Sequence, residues 1–123
     1  MFKLLAIASG GAIGAVLRYS ISLGTHAWLG RGFPYGTLVV NVIGSFAMGV
    51  LYVLLLERLN LSVEMRAALQ VGLLGALTTF STFSMETMLL IENGETVKAV
   101  LNVLLSVFIC LFATWIGMLI GRQ

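Results

Sequence analysis

GALTTFSTFSMET, residues 75–87, carries eight Gly, Thr, Ser or Glu residues in thirteen positions, with Phe80 and Phe83 standing among the hydroxyls. The stretch lies inside a long apolar segment, and how that segment accommodates it decides the fold. Gly72 and Gly75 precede Thr78 and Thr79, and glycine and β-branched residues both weaken a helix. Two readings are open. In one, the helix runs through unbroken and its Ser and Thr hydroxyls bond back to i−4 carbonyls. In the other, it breaks at Gly75 to Thr78 and frees backbone carbonyls. At membrane depth such a break is tolerated where the loose backbone lines a cavity or holds an ion.

The rest of the chain sets this stretch in a membrane. Of its 123 residues 59% are hydrophobic and 10% charged, with a mean hydropathy of +1.06; soluble domains carry roughly 25% charged residues. A spanning helix takes about 20 apolar residues. Four such segments, roughly 3–25, 35–56, 65–91 and 97–120, nearly exhaust the sequence. The expectation is an all-α membrane protein with one transmembrane domain over residues 1–123. The first break, HAWLGRGFP, holds Pro34 and places His26 in a loop. In the second, ERLNLSVE, Ser62 can cap the next helix and Glu64 suits its first turn. In the third, ENGE, Gly94 is a helix stop.

Charge and composition exclude several classes. No basic cluster points to nucleic acid. The spans carry no Asp or His, so a metal cluster or catalytic triad has no material, and an enzyme is not expected. Cys110 is the only cysteine and forms no intrachain disulfide. With the N-terminus in the cytoplasm, Lys3, Arg58, Arg66 and Arg122 lie inside and Arg31 and Lys98 outside. Four against two is a weak bias. It fits either a fixed N-in orientation or a chain that inserts both ways and pairs antiparallel.

Polar groups in hydrocarbon need partners, so their positions mark buried faces. Gly10 and Gly14 have the spacing that lets helices approach closely. Arg18, about 21 Å along a helix from Leu4, either snorkels to an interface or lines a wet vestibule that attracts anions. Thr37, Asn41 and Ser45 share one helical face. The Asn41 amide either bonds another helix or donates to an anion. Asn102, Ser106, Cys110 and Thr114 form a second polar stripe. Glu86 is the only carboxylate well inside a span. On a helix, Phe80 and Phe83 share a face beside Ser81 and Ser84. Phenyl edges carry partial positive charge, so edges interleaved with hydroxyls suit a dehydrated anion better than a cation.

These residues carry a resemblance. GGAIGAVLRY (10–19), GTLVVNVIGSF (36–46) and GLLGALTTFSTFSME (72–86) resemble the Fluc (CrcB) family of bacterial fluoride channels, across three of four spans in order. TTFSTF is the specific element; Gly75-Ala76 stands where the family often has Gly-Gly. The resemblance implies a dual-topology, antiparallel homodimer with two pores and the third helix broken mid-membrane. It implies pores lined by Asn41, Phe80 and Phe83, with Thr37, Ser106 and Thr114 as further polar lining. It also implies a structural Na+ held by backbone carbonyls of Gly75 and Thr78, and fluoride export across the bacterial inner membrane. The competing reading is a small four-helix proton-coupled multidrug exporter. That would need an essential carboxylate deep in the membrane, and Glu86 is a weak substitute. A purely structural subunit would need no polar stripes.

Overall fold

The computed structural model describes residues 1–123, and its regular elements are all helices. Helix α1 spans Phe2–Leu29 and α2 spans Tyr35–Glu57. The third segment begins with α3, an α-helix over Val63–Ala67 that widens into a π-helix over Ala68–Leu74 and ends in one α turn, Gly75–Leu77. Helix α4 is Phe80–Glu92 and α5 is Thr96–Arg122. The four segments, with α3 and α4 counted as one, are each long and apolar enough to cross a membrane.

The ends follow local chemistry. Ser62 Oγ accepts from the Met65 amide at 3.1 Å and caps α3, with Glu64 in its first turn. Gly94 adopts φ 78° after α4. The first turn differs from expectation. His26 is not in a loop: α1 continues through it to Leu29. Gly24 and Thr25 are absorbed within it, and Gly30, at φ 84°, ends it because only glycine enters that region at no steric cost.

Two helix pairs form the body: α2 against α5, and α1 against the π-helical part of α3. Both rest on glycines that admit a neighbouring backbone. A Cβ on Gly10 or Gly14 would collide with the carbonyls of Ala68 and Leu73, and one on Gly49 or Gly117 with those of Thr114 and Phe46. Such approach supplies the dispersion contacts that hold helices together in lipid, where burial of apolar area drives nothing. The burial pattern agrees. Only 23 of the 123 residues are buried, among them Thr37, Thr87, Asn102 and Ser106, while most large hydrophobics face outward.

Candidate functional site

The third segment parts at two threonines. Thr78 (φ −89°, ψ 155°) and Thr79 (φ −152°, ψ 123°) are extended. Gly72 and Gly75 remain helical; Gly72 serves the approach to α1, where a Cβ would strike the Ile7 carbonyl and the Gly11 amide. Asn41 of α2 pins the extended pair. Its Oδ1 accepts from the Thr79 amide at 2.8 Å, and its Nδ2 donates to the Thr79 carbonyl at 3.1 Å. Thr79 in turn caps α4, its Oγ1 accepting from the Thr82 amide at 3.2 Å.

These bonds redirect the helical donors. In a continuous helix the Thr79 amide would close on Gly75 and the Thr82 amide on Thr78. Here the first goes to Asn41 and the second to a side chain. The carbonyls of Gly75 and Thr78 thereby lose their i+4 partners. That of Ala76, between them, accepts from Arg18 Nε at 3.0 Å. Arg18 therefore ties α1 to the carbonyl end of α3, where a cation is favoured by the helix dipole. No His, Cys, Asp or Glu cluster suited to a metal exists, so a cation at the break would have oxygen ligands from backbone and hydroxyl. Carbonyl oxygens suit a hard cation, and the Gly75 and Thr78 carbonyls fit that requirement.

Beside the break runs a groove of about 460 Å³ bordered by Asn41, Ser45, Thr78, Phe80, Phe83, Ser106, Cys110 and Thr114. The two rings lie 5.3 Å apart at 46°. Phe83 is buried, whereas Phe80 is 77% exposed on the single chain. Ser106, at the edge of the groove, has its Oγ buried without a hydrogen-bond partner. Thr114 Oγ1 lies 3.0 Å from its own i−4 carbonyl, Cys110, and 3.2 Å from the Ser45 carbonyl of α2. Asn41 retains a second amide proton beyond the one given to Thr79. No ionisable carboxylate or amine borders this groove. Hydroxyl and amide donors with phenyl edges can replace part of an anion's hydration shell without trapping it by full charge.

A second cleft of about 270 Å³ brings together Arg18, Ser22, His26, Thr37, Thr82 and Glu86. Glu86 Oε1 is buried there without a hydrogen-bond partner. The sequence-chosen residues thus divide. Asn41, Phe80, Phe83, Ser106 and Thr114 meet in the groove with Thr78; Thr37 joins Arg18 and Glu86 in the cleft. Ser81 and Ser84 border neither. Ser84 Oγ bonds back to the Phe80 carbonyl at 2.9 Å, and Ser81 Oγ faces Thr79 Oγ1 at 3.3 Å. Asn102 is a tie between helices: its Nδ2 donates to Thr87 Oγ1 at 2.9 Å, and Thr87 donates to the Phe83 carbonyl at 2.7 Å. Sequence reasoning missed the part played by Thr79, although its position three residues before Thr82 is that of a cap.

Comparison with known proteins bears on this geometry. The model of a family described as CrcB-like protein, Camphor Resistance (CrcB), matches residues 5–118. The chain is 57% identical over 121 residues to a fluoride-specific ion channel FluC of Methylococcus capsulatus, an alignment covering 98% of this chain and 53% of that protein. The chain thus spans about half the length of that relative. It is 50% identical to a fluoride-specific ion channel FluC of Hydrogenovibrio crunogenus, covering 100% of this chain and 93% of the other. Identity is 58% to one of Shewanella amazonensis, covering 95% and 94%.

Proposed function

The chain belongs to the CrcB-like family, and from that premise we propose that it is a fluoride-selective channel that exports cytoplasmic fluoride by passive electrodiffusion across the bacterial inner membrane. Relatives that it matches over nearly their whole length are fluoride-specific ion channels; a channel, not an enzyme, is the activity the family carries. The observation that carries the reading onto this chain is the Asn41 clamp on Thr79. It holds an interrupted helix beside two phenyl rings and the unpartnered Ser106 hydroxyl, where an anion can be passed between weak donors. The cleft of Arg18, Thr37 and Glu86 serves as the vestibule that gathers the anion, with Arg18 as the attracting charge.

Two copies pair antiparallel and bring their breaks together near the bilayer midplane, forming two pores along their contact. Phe80, exposed on one chain, is covered in that pairing. The carbonyls of Gly75 and Thr78 from both copies hold one structural Na+, which offsets the repulsion among oxygens that have lost their helical donors. The need for the channel is chemical. Hydrogen fluoride crosses lipid as a neutral acid, dissociates inside and leaves the anion trapped.

A proton-coupled multidrug exporter would exchange protons on a carboxylate at its transport site. Here Glu86 lies in the other cleft, and none borders the groove. Liposomes containing only this protein decide between the two. Rapid fluoride loss, read with a fluoride electrode and without chloride loss, is the expected result. Transport that requires an imposed proton gradient would overturn it.

A further inference from the structure

Helix α2 starts without a cap of its own. Pro34 precedes it, with neither an N–H nor a polar side chain, and no local side chain bonds an early amide. The Tyr35 amide closes on the Phe33 carbonyl at 2.8 Å and the Leu38 amide on that of Pro34 at 3.3 Å. Gly36 and Thr37 therefore carry orphan amides of the kind every helix start presents. The Gly36 amide is satisfied from another helix: it donates to His26 Nε2, in the last turn of α1, at 3.2 Å. Contact there is close. A Cβ on Gly36 would lie 3.0 Å from His26 Cε1 and from the Cα and Cβ of Ser22.

We propose that His26 is a pH-switched cap that fastens α2 to α1 at the wall of the Arg18–Glu86 cleft. The bond exists only while Nε2 is unprotonated. Protonation turns the acceptor into a donor facing another donor. It also puts a positive charge at the start of α2, where the helix dipole is itself positive, whereas the end of α1 favours a cation. The ionisable groups around the ring act in defined directions. Arg18 of α1 and Glu86 of α4 share the cleft with the ring, the first opposing an imidazolium there and the second favouring it. Tyr19 of α1 is the remaining titratable group of the cleft, to which α3 and α5 contribute none. Tyr35 opens α2, with its ring 5.1 Å from that of Phe33, and Arg31 lies in the connecting turn. Acid therefore uncaps the first turn of α2 and loosens Thr37, the next residue, in the cleft wall.

The test needs no assumption about fluoride. His26 is the only histidine, and Tyr35–Gly36 is the only Tyr-Gly pair. A ¹⁵N-histidine label thus reports one ring, and ¹³C-carbonyl tyrosine with ¹⁵N-glycine isolates one amide. Spectra of the purified full chain are recorded from about pH 8 to about pH 5, which brackets imidazole titration. At the upper end Nε2 should be the unprotonated nitrogen, and the Gly36 amide should shift with the same midpoint as the ring. Its hydrogen exchange, corrected for the intrinsic effect of pH, should quicken about tenfold in acid, as befits the loss of one hydrogen bond. His26→Gln keeps an acceptor that does not titrate and should leave Gly36 protected throughout; His26→Phe fills the space without an acceptor and should leave it unprotected throughout. A Gly36 amide indifferent to the ring's titration, or still pH-dependent in His26→Gln, would overturn the proposal. A fluoride-silent protein whose Gly36 titrates would overturn the channel reading and leave the cap standing.

Discussion

At the scale of residues, the site depends on which donors are engaged and which are left over. Asn41 donates one amide proton to the Thr79 carbonyl, accepts from the Thr79 amide with its oxygen, and keeps one proton for the groove. Asn41→Asp removes both protons and sets a carboxylate against the Thr79 carbonyl at the present 3.1 Å. An acceptor–acceptor apposition of this kind costs about 1–3 kcal/mol, and the negative charge repels an entering anion. The expected outcome is a fluoride flux at least tenfold lower, about 1.4 kcal/mol on the barrier, with a lowered thermal midpoint for the purified protein. Phe80 offers a cleaner separation. Because its ring is 77% exposed on the single chain, Phe80→Ile leaves the packing within the chain almost untouched while deleting the quadrupole. Flux should collapse while the purified protein keeps its helical fold and its assembly state, read by circular dichroism and size-exclusion chromatography. Unchanged flux would make the ring a packing residue.

At the scale of elements, the interruption is held by ties rather than by weak helix formers. Thr79 is both the partner of Asn41 and the cap of α4, so Thr79→Ala should cost about 1 kcal/mol through the cap alone, while Thr79→Ser should restore it. Thermal melts of the two variants check this, and equal melts would remove the cap from the account. The same residues explain what was legible beforehand. Ser62 and Gly94 announce helix ends because capping is local chemistry. The groove residues were legible because hydroxyls and amides stand out against an apolar background. The site of the interruption was harder to read. Gly72 and Gly75 look like breakers, yet both stay helical, Gly72 serving the approach to α1, whereas the partner that pins the extended pair, Asn41, lies 38 residues from Thr79. The π-helical turns of α3 leave no mark in composition, since i→i+5 bonding is chosen by packing against α1. Asn102 and Ser106 share one stripe in sequence but differ in bonding, the first tied to Thr87 and the second buried beside the groove without a partner.

At the scale of the whole molecule, the single chain leaves an apolar exterior and a groove whose outer wall includes exposed Phe80, and its Lys and Arg barely choose a side of the membrane. Both features fit a chain that inserts in two orientations and completes its site with an inverted copy. A cysteine introduced beside Arg122, in a Cys110→Ser background, should then react with impermeant reagent from both sides of intact cells; labelling from one side alone would rule out the antiparallel pair. The central cation follows from the same symmetry. In each copy the Thr79 and Thr82 amides are turned to side chains, leaving the Gly75 and Thr78 carbonyls without their helical donors. In the proposed antiparallel pair, a two-fold axis in the membrane plane would set four such oxygens against one another. The hydrogen bond of Arg18 goes to the Ala76 carbonyl between them and to neither of these two. A monovalent hard cation between the four oxygens would offset their repulsion without stranding excess charge in the membrane. Exhaustive replacement of Na+ by a large organic cation should therefore reduce fluoride efflux at least tenfold and lower the melting temperature of the dimer, and millimolar Na+ should restore both. A structural ion of the kind proposed does not permeate, so ²²Na+ should not cross with fluoride. Efflux and melting that are indifferent to Na+ would mean that the freed carbonyls are satisfied in another way, and would remove the cation while leaving the groove and its anion path intact.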